Sequence, residues 1–185
     1  MREVGPQDDG PSDAELVEKA RRGDEHALDT LVRRHHAAAH RVAASIVRDA
    51  DAAQDVVQDA FVKAFRALDG FRGDSSFGTW LLTITANEAR GALRRVVRRR
   101  ETSLDDVTGV ASEGMAPDSA SVLALEAQRA RVMLDRLPDK QRLSVTLRIE
   151  EGLSFREIGN IIGSSEGAAR VNYFHGIRRL RELLE

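Results

Sequence analysis

Arginine recurs in two runs of this chain, and the company each run keeps says what it can bind. Arg94, Arg95, Arg98, Arg99 and Arg100 form one run; Arg170, Arg178, Arg179 and Arg181 form the other, with Asn172, Tyr173 and His175 among them. A guanidinium neutralises phosphate without reading sequence. Arg and Asn also match base edges, and one good bidentate contact discriminates by about 1–3 kcal/mol. The chemistry on offer is nucleic-acid recognition. An ordinary helical hairpin with a solvated basic face would carry the same C-terminal residues, so that run alone leaves both readings open.

The second run needs an element to aim it, and the preceding residues supply one. Ser154 followed by Glu157 is a capping box, which satisfies two orphan backbone donors at a helix start. Ile158, Ile161 and Ile162 then recur at helical spacing and give one apolar face. Gly163 suits a tight turn, and Ser164 or Ser165 can cap a second helix running from about Glu166 to Leu184. Two helices joined by so short a turn make a helix-turn-helix, whose second helix can enter a major groove.

Composition bounds the rest. The chain has 185 residues, 42% of them hydrophobic but only 4% aromatic, so its core must rest on Leu, Val, Ile and Ala. Alternating β-branched runs are scarce, and the expected fold is all-α. With no Cys, disulfides, thiol redox sensing and Cys-based zinc sites are excluded. No apolar run reaches membrane-spanning length and no signal-peptide core is evident, so a soluble cytoplasmic protein without membrane insertion is expected. His35, His36 and His40 lie close together, but no carboxylate pair or Cys completes a tetrahedral set, and no metal is expected. Phosphate-cradling Gly loops, nucleophile elbows and paired-carboxylate sites are lacking too, so neither enzymatic activity nor a cofactor is expected.

The net charge of −2 conceals strong patterning. Residues 71–100 carry 7 basic and 2 acidic side chains, whereas residues 101–121 carry 5 acidic and none basic. Four segments follow. Residues 1–11 read as a disordered tail; residues 12–100 as a helical domain with breaks near Gly23, Asp49–Asp51 and Gly70–Ser76; residues 101–121 as a flexible acidic linker; residues 122–185 as a second small helical domain. In the second domain Leu137-Pro138 should start a helix and Gly152 end it.

Four stretches in this order carry a resemblance. They are Gln54-Asp-Val-Val-Gln-Asp-Ala-Phe-Val-Lys-Ala-Phe65, Phe71-Arg-Gly-Asp-Ser-Ser-Phe-Gly-Thr-Trp-Leu81, Leu137-Pro-Asp-Lys-Gln-Arg142 and Glu151-Gly-Leu-Ser-Phe-Arg-Glu-Ile158. Together they resemble the extracytoplasmic-function (group 4) sigma factors of bacterial RNA polymerase. The resemblance implies region 2, which reads the promoter −10 element, and region 4, which reads the −35 duplex, with a linker that threads the polymerase. It implies core RNA polymerase, promoter DNA and an anti-sigma factor as partners.

The residues take roles accordingly. Val56, Val57, Ala60, Phe61, Ala64 and Phe65 form a core-facing helical stripe, and the resemblance assigns the polar Asp55, Gln58 and Asp59 between them to core polymerase. It places the pocket for an unstacked −10 base at Phe71, Gly73, Asp74, Ser75, Ser76 and Asn87. Extruding that base costs a few kcal/mol, which the pocket must offset. Arg94, Arg95 and Arg98 are suited to phosphates. Trp80 either stacks on DNA or anchors the core. Ser165, Arg170, Asn172, Tyr173, His175, Arg178 and Arg179 are the candidate −35 contacts. Gly78 and Gly91 depart from the Arg and Asp of many relatives, and Asn172, Phe174 and His175 replace part of the usual basic run. A stand-alone helix-turn-helix regulator would explain the C-terminal half but not the Trp80 region or the acidic docking helix.

Overall fold

The computed structural model describes residues 10–102, 129–130 and 132–184. These residues form helices joined by turns and short irregular segments, and none of them forms a strand. The N-terminal half carries α1 (Asp13–Arg21), α2 (Glu25–Val47), α3 (Ala50–Arg66), a single 3₁₀ turn (Leu68–Gly70) and α4 (Phe77–Thr102). The C-terminal half carries a helical turn at residues 132–135, then α5 (Asp139–Ile149), α6 (Phe155–Ile162) and α7 (Glu166–Leu184). Most of the expected tail, the linker beyond Thr102 and the start of the second domain lie outside the described residues.

Local chemistry sets the helix boundaries. Ser12 and Glu15 close a capping box on α1, while the Asp24 and Asp49 carboxylates cap α2 and α3. Arg48 stops α2 in the left-handed region at φ 57°. α4 runs to Thr102, two residues into the stretch expected as linker. α5 begins one residue later than its Pro suggests, with Pro138 as the N-cap, and ends at Ile149, ahead of Gly152.

Packing follows the apolar stripes. α2 lies against α1, α3 and α4, and α3 against α4. Ala39, Ala43, Ala53, Ala60, Ala64 and Ala86 are fully buried between them, so small side chains let the helix axes approach closely. In the C-terminal half α5 and α6 both pack on α7, burying Leu147, Ile158, Ile161 and Ala169. The halves also touch: α5 lies on α2 and α6 on α4, and their buried residues join in one apolar cluster.

The helix-turn-helix closes through two glycines. Gly163 occupies the left-handed region at φ 66° and ends α6. Gly159 lets the turn fold back, since a Cβ there would lie 2.9 Å from the Ser164 carbonyl oxygen and 3.1 Å from the Ser165 carbonyl carbon. Ala is the better helix former by up to about 1 kcal/mol, but backbone cannot retreat as a flexible side chain can, and overpacking costs about 1–3 kcal/mol. Gly159→Ala is therefore expected to lower the urea midpoint. Gly91→Ala in α4, where a Cβ meets only Arg side chains at 3.6 Å and beyond, is expected to raise it. Equal midpoints for both variants would show that the turn does not press on Gly159.

Candidate nucleic-acid interface

The loop from Phe71 to Ser76 is shaped by aromatic packing and one arginine. Phe71, Phe77 and Trp80 form a cluster, with the Phe71 and Trp80 rings 4.8 Å apart and Phe77 and Trp80 5.9 Å apart. Trp80 is half-buried there, anchored on two rings with part of its surface open. Arg21, at the end of α1, donates to the Leu68 carbonyl at 3.2 Å and to the Phe71 carbonyl, fixing where the loop begins. Nothing local to the loop announces that arginine. Gly73 and Asp74 are exposed and Ser75 is half-buried. Ser76 caps α4 by accepting from the Thr79 amide at 3.1 Å.

Gly78 sits beneath the His35 imidazole, whose nearest carbon would be 3.1 Å from a Cβ. His35 in turn meets the Asp13 carboxylate at 2.6 Å and packs tilted against the Phe77 ring at 5.3 Å. That hydrogen bond holds the Asp13 carboxyl below the usual carboxylate range, against burial. A larger side chain at position 78 must displace the histidine, which gives a packing reason for glycine there.

Along α4, Trp80, Asn87 and Arg94 recur every seven residues and so share a face. Asn87 is exposed and accepts from Arg90 at 3.2 Å. Arg94, Arg95 and Arg98 are exposed and form the basic end of the helix.

α7 presents one solvent-facing stripe: Arg170, Val171, Phe174, His175 and Arg178, with Arg179 exposed at its edge. Phe174 is 58% exposed and Val171 53%, in a helix otherwise polar on that side. Asn172 and Tyr173 lie off the stripe. The Asn172 amide donates to the Ala168 carbonyl at 2.8 Å, and the Tyr173 ring packs 5.5 Å from Phe155. Ser165 caps α7, accepting from the Ala168 amide at 3.2 Å. Arg170 lies over the Phe155 ring at 5.3 Å and pairs with Glu166 at 2.9 Å. The aliphatic and aromatic members of the stripe match no basic pattern, so a search for Arg and Asn passes over them; their helical spacing from Arg170 was the available signal.

α3 turns Asp55, Gln58 and Asp59 outward together, and Val62, 42% exposed, continues the same stripe. Lys63 pairs with Glu88 of α4 at 2.6 Å. The His36 and His40 rings stack at 6.3 Å. Among the described residues no group of three or more His, Cys, Asp or Glu could hold a metal ion, and no helix is long and apolar enough to cross a membrane.

Glu157 joins the two halves at the capping box. It accepts from the Ser154 amide at 2.9 Å and the Ser154 hydroxyl at 2.6 Å, and from the Thr79 hydroxyl of α4 at 3.0 Å. The Ser154 hydroxyl is the largest influence holding its carboxyl below the ordinary 4.5, with burial opposing. A carboxylate favoured in the folded state adds stability above its ordinary pKa and loses it as pH falls through the folded value. Below about pH 5, thermal stability should fall more steeply for the wild type than for Glu157→Gln, whose amide does not titrate. Parallel melting curves across that window would remove Glu157 from the acid response.

Comparison with known proteins places the chain in a family. The Sigma-70 region 2 family matches residues 31–115, and the Sigma-70, region 4 family matches residues 133–182. The chain is 38% identical to the RNA polymerase sigma-H factor of Pseudomonas aeruginosa, over 94% of this chain and 92% of that protein. It is 36% identical to the ECF RNA polymerase sigma-E factor of Escherichia coli K12, over 94% and 93%. Among solved structures it is similar to the sigma factor RpoE from Bartonella quintana in complex with the anti-sigma factor NepR, with a TM-score of 0.71 and 29% identity over 84% of this chain and 95% of that one. It is also similar to CnrH in complex with the cytosolic domain of CnrY, with a TM-score of 0.67 and 28% identity over 94% and 97%. The chain belongs to the extracytoplasmic-function sigma factors of RNA polymerase.

Proposed function

We propose that this sigma factor binds core RNA polymerase through the exposed α3 stripe of Asp55, Gln58, Asp59 and Val62, and reads two promoter elements with its two halves. The observation that carries the reading is the α7 stripe, which leaves Arg170, Val171, Phe174, His175 and Arg178 facing solvent while the opposite face is buried on α5 and α6. Such a helix fits a major groove. Arg170 and His175 supply donors to base edges, Val171 and Phe174 supply apolar contact to thymine methyl groups, and Arg178 and Arg179 anchor phosphates. Asn172 and Tyr173 support the helix from behind, and Ser165 caps it.

The Phe71–Ser76 loop with Trp80 and Asn87 receives an unstacked −10 base, and the displaced strand runs toward Arg94, Arg95 and Arg98. The protein performs no catalysis itself; nucleotidyl transfer belongs to the polymerase. It acts in the cytoplasm, where that polymerase meets DNA, and an anti-sigma factor restrains it, by analogy with the relatives solved in such complexes. A stand-alone regulator would leave the acidic α3 stripe without a purpose.

The direct test is run-off transcription with purified core polymerase on the promoter upstream of the protein's own gene. A correctly started transcript that depends on the added protein is expected. Failure to bind core at all would favour the stand-alone regulator. With the holoenzyme, Arg178→Ala should weaken specific and scrambled −35 DNA alike and reduce the salt slope by about one. Arg170→Ala should cost about 1–3 kcal/mol on the specific element alone. Equal losses on both DNAs for Arg170→Ala would remove it from base readout.

A further inference from the structure

Arg21 divides its guanidinium between two parts of the chain. Nη1 pairs with Glu18, one turn earlier on α1. Nε donates to the Leu68 carbonyl at 3.2 Å and Nη2 to the Phe71 carbonyl, 47 and 50 positions along the chain. A cation in the last turn of α1 favours the helix dipole wherever its side chain lies. The dipole does not require that two nitrogens of a planar fork meet two carbonyls of another element. Glu18 holds the remaining nitrogen, so the fork is fixed in orientation as well as in place.

Those two carbonyls bracket the 3₁₀ turn. The Leu68 side chain is 3% exposed, and its carbonyl also accepts from the Phe71 amide at 3.1 Å. Arg21 therefore links a buried residue to the first residue of the loop. Beyond Phe71 the chain is exposed at Arg72, Gly73 and Asp74, and it is tied down again where Ser76 caps α4. α1 reaches that exit as well, because Asp13 meets His35 at 2.6 Å and His35 packs against Phe77. A loop whose middle is exposed takes its course from its ends, so displacing the entry shifts the residues between.

We propose that Arg21 is a positioning residue for −10 recognition: it fixes the entry of the Phe71–Ser76 loop, and with it the Phe71 and Trp80 rings, in the conformation that receives the unstacked base. This rests on the base-receiving role proposed above for the loop. Arg21 acts through the loop and need not touch DNA. A loop ordered beforehand loses less freedom when the base arrives. Groups held to within about 0.5 Å also favour the fitting base over the others.

Trp80 is the chain's one tryptophan and its ring lies 4.8 Å from Phe71, so its emission reads the loop entry in the unlabelled full-length protein. Well below the melting temperature, Arg21→Ala is expected to shift Trp80 emission to the red and open it to acrylamide quenching. Arg22→Ala removes the same charge from the exposed neighbouring position and is expected to leave emission unchanged. Arg21→Lys keeps the charge but loses the fork, so it should resemble Arg21→Ala. In the holoenzyme, the preference for a single-stranded −10 oligonucleotide over a scrambled one should fall about tenfold for Arg21→Ala, the order of one hydrogen bond to a charged group. Core binding and −35 duplex affinity should not change.

Unchanged Trp80 emission in Arg21→Ala, or full recovery in Arg21→Lys, would overturn the positioning role and leave only a helix charge. Altered emission with an undiminished −10 preference would overturn the link to recognition. If the wild-type holoenzyme itself does not distinguish the two strands while Trp80 responds to Arg21→Ala, the anchor on the loop stands and the base-receiving role of the loop fails.

Discussion

A guanidinium buried to 1% exposure must find acceptors, because leaving such a charge unpaired costs several kcal/mol. Arg142 finds them in both halves of the chain. Leu137 and Asp139 are neighbours in sequence, but the Ser45 carbonyl comes from the last turns of α2. The final carbonyls of a helix lack intrahelical donors, so the end of α2 and the buried cation satisfy each other. Burial, followed by the nearby Arg48 cation, pulls the Arg142 pKa down, and Asp139 and Asp135 oppose the shift. Guanidinium does not give up its proton in proteins, so the charge persists. This one interaction seats α5 on α2, and α5 in turn helps seat α7.

Around that contact the molecule separates scaffold from surface. Alanines dominate the buried faces of α2 and α3, bringing their backbones close and freeing the outer faces for chemistry. The result is a set of stripes rather than a pocket: an acidic one on α3, a mixed aromatic and basic one on α4, an apolar and basic one on α7. Extended partners, namely another protein's helices or a nucleic-acid strand, match stripes better than they match cavities.

The features legible in the sequence were those decided locally. The Ser154–Glu157 capping box, the left-handed Gly163 and the breaks near Gly23 and Asp49 depend on a few adjacent residues, and the residues themselves announce them. The helical stripe through Val56, Val57, Ala60, Phe61 and Ala64 is equally local, and these residues are buried in α3. What stayed hidden depends on which way a helix is rotated against its neighbours. Asn172 offers an amide in the sequence, and only the packed α7 shows that amide donating back to the Ala168 carbonyl. Phe174 stands where a basic residue is usual, and only the packing of α7 shows its ring at 58% exposure. Arg142, Arg21 and Gly78 each answer to a partner at least 43 positions away, His35 for Gly78 and more distant residues for the arginines, so no window of neighbours reveals them.

The α7 surface also shows how the proposed reading helix can hold its side chains in place without losing them to the protein's own contacts. Phe155 supports Tyr173 at 5.5 Å, and Tyr173 meets Phe174 at 5.3 Å, so the exposed ring is braced before any partner arrives. Arg148 and Arg170 both lie over the Phe155 ring, at 5.0 and 5.3 Å. Bracing reduces the rotamer entropy lost on binding, about 0.5–1.5 kcal/mol for each flexible side chain immobilised. Glu166 is a polar competitor for Arg170, and both side chains are about half exposed. An exposed pair of that kind contributes at most about 1 kcal/mol, less than the upper range for a bidentate base contact. In the proposed reading Arg170 can therefore exchange Glu166 for a base edge while keeping its place over the Phe155 ring, so the geometry that stabilises the free helix leaves this guanidinium available.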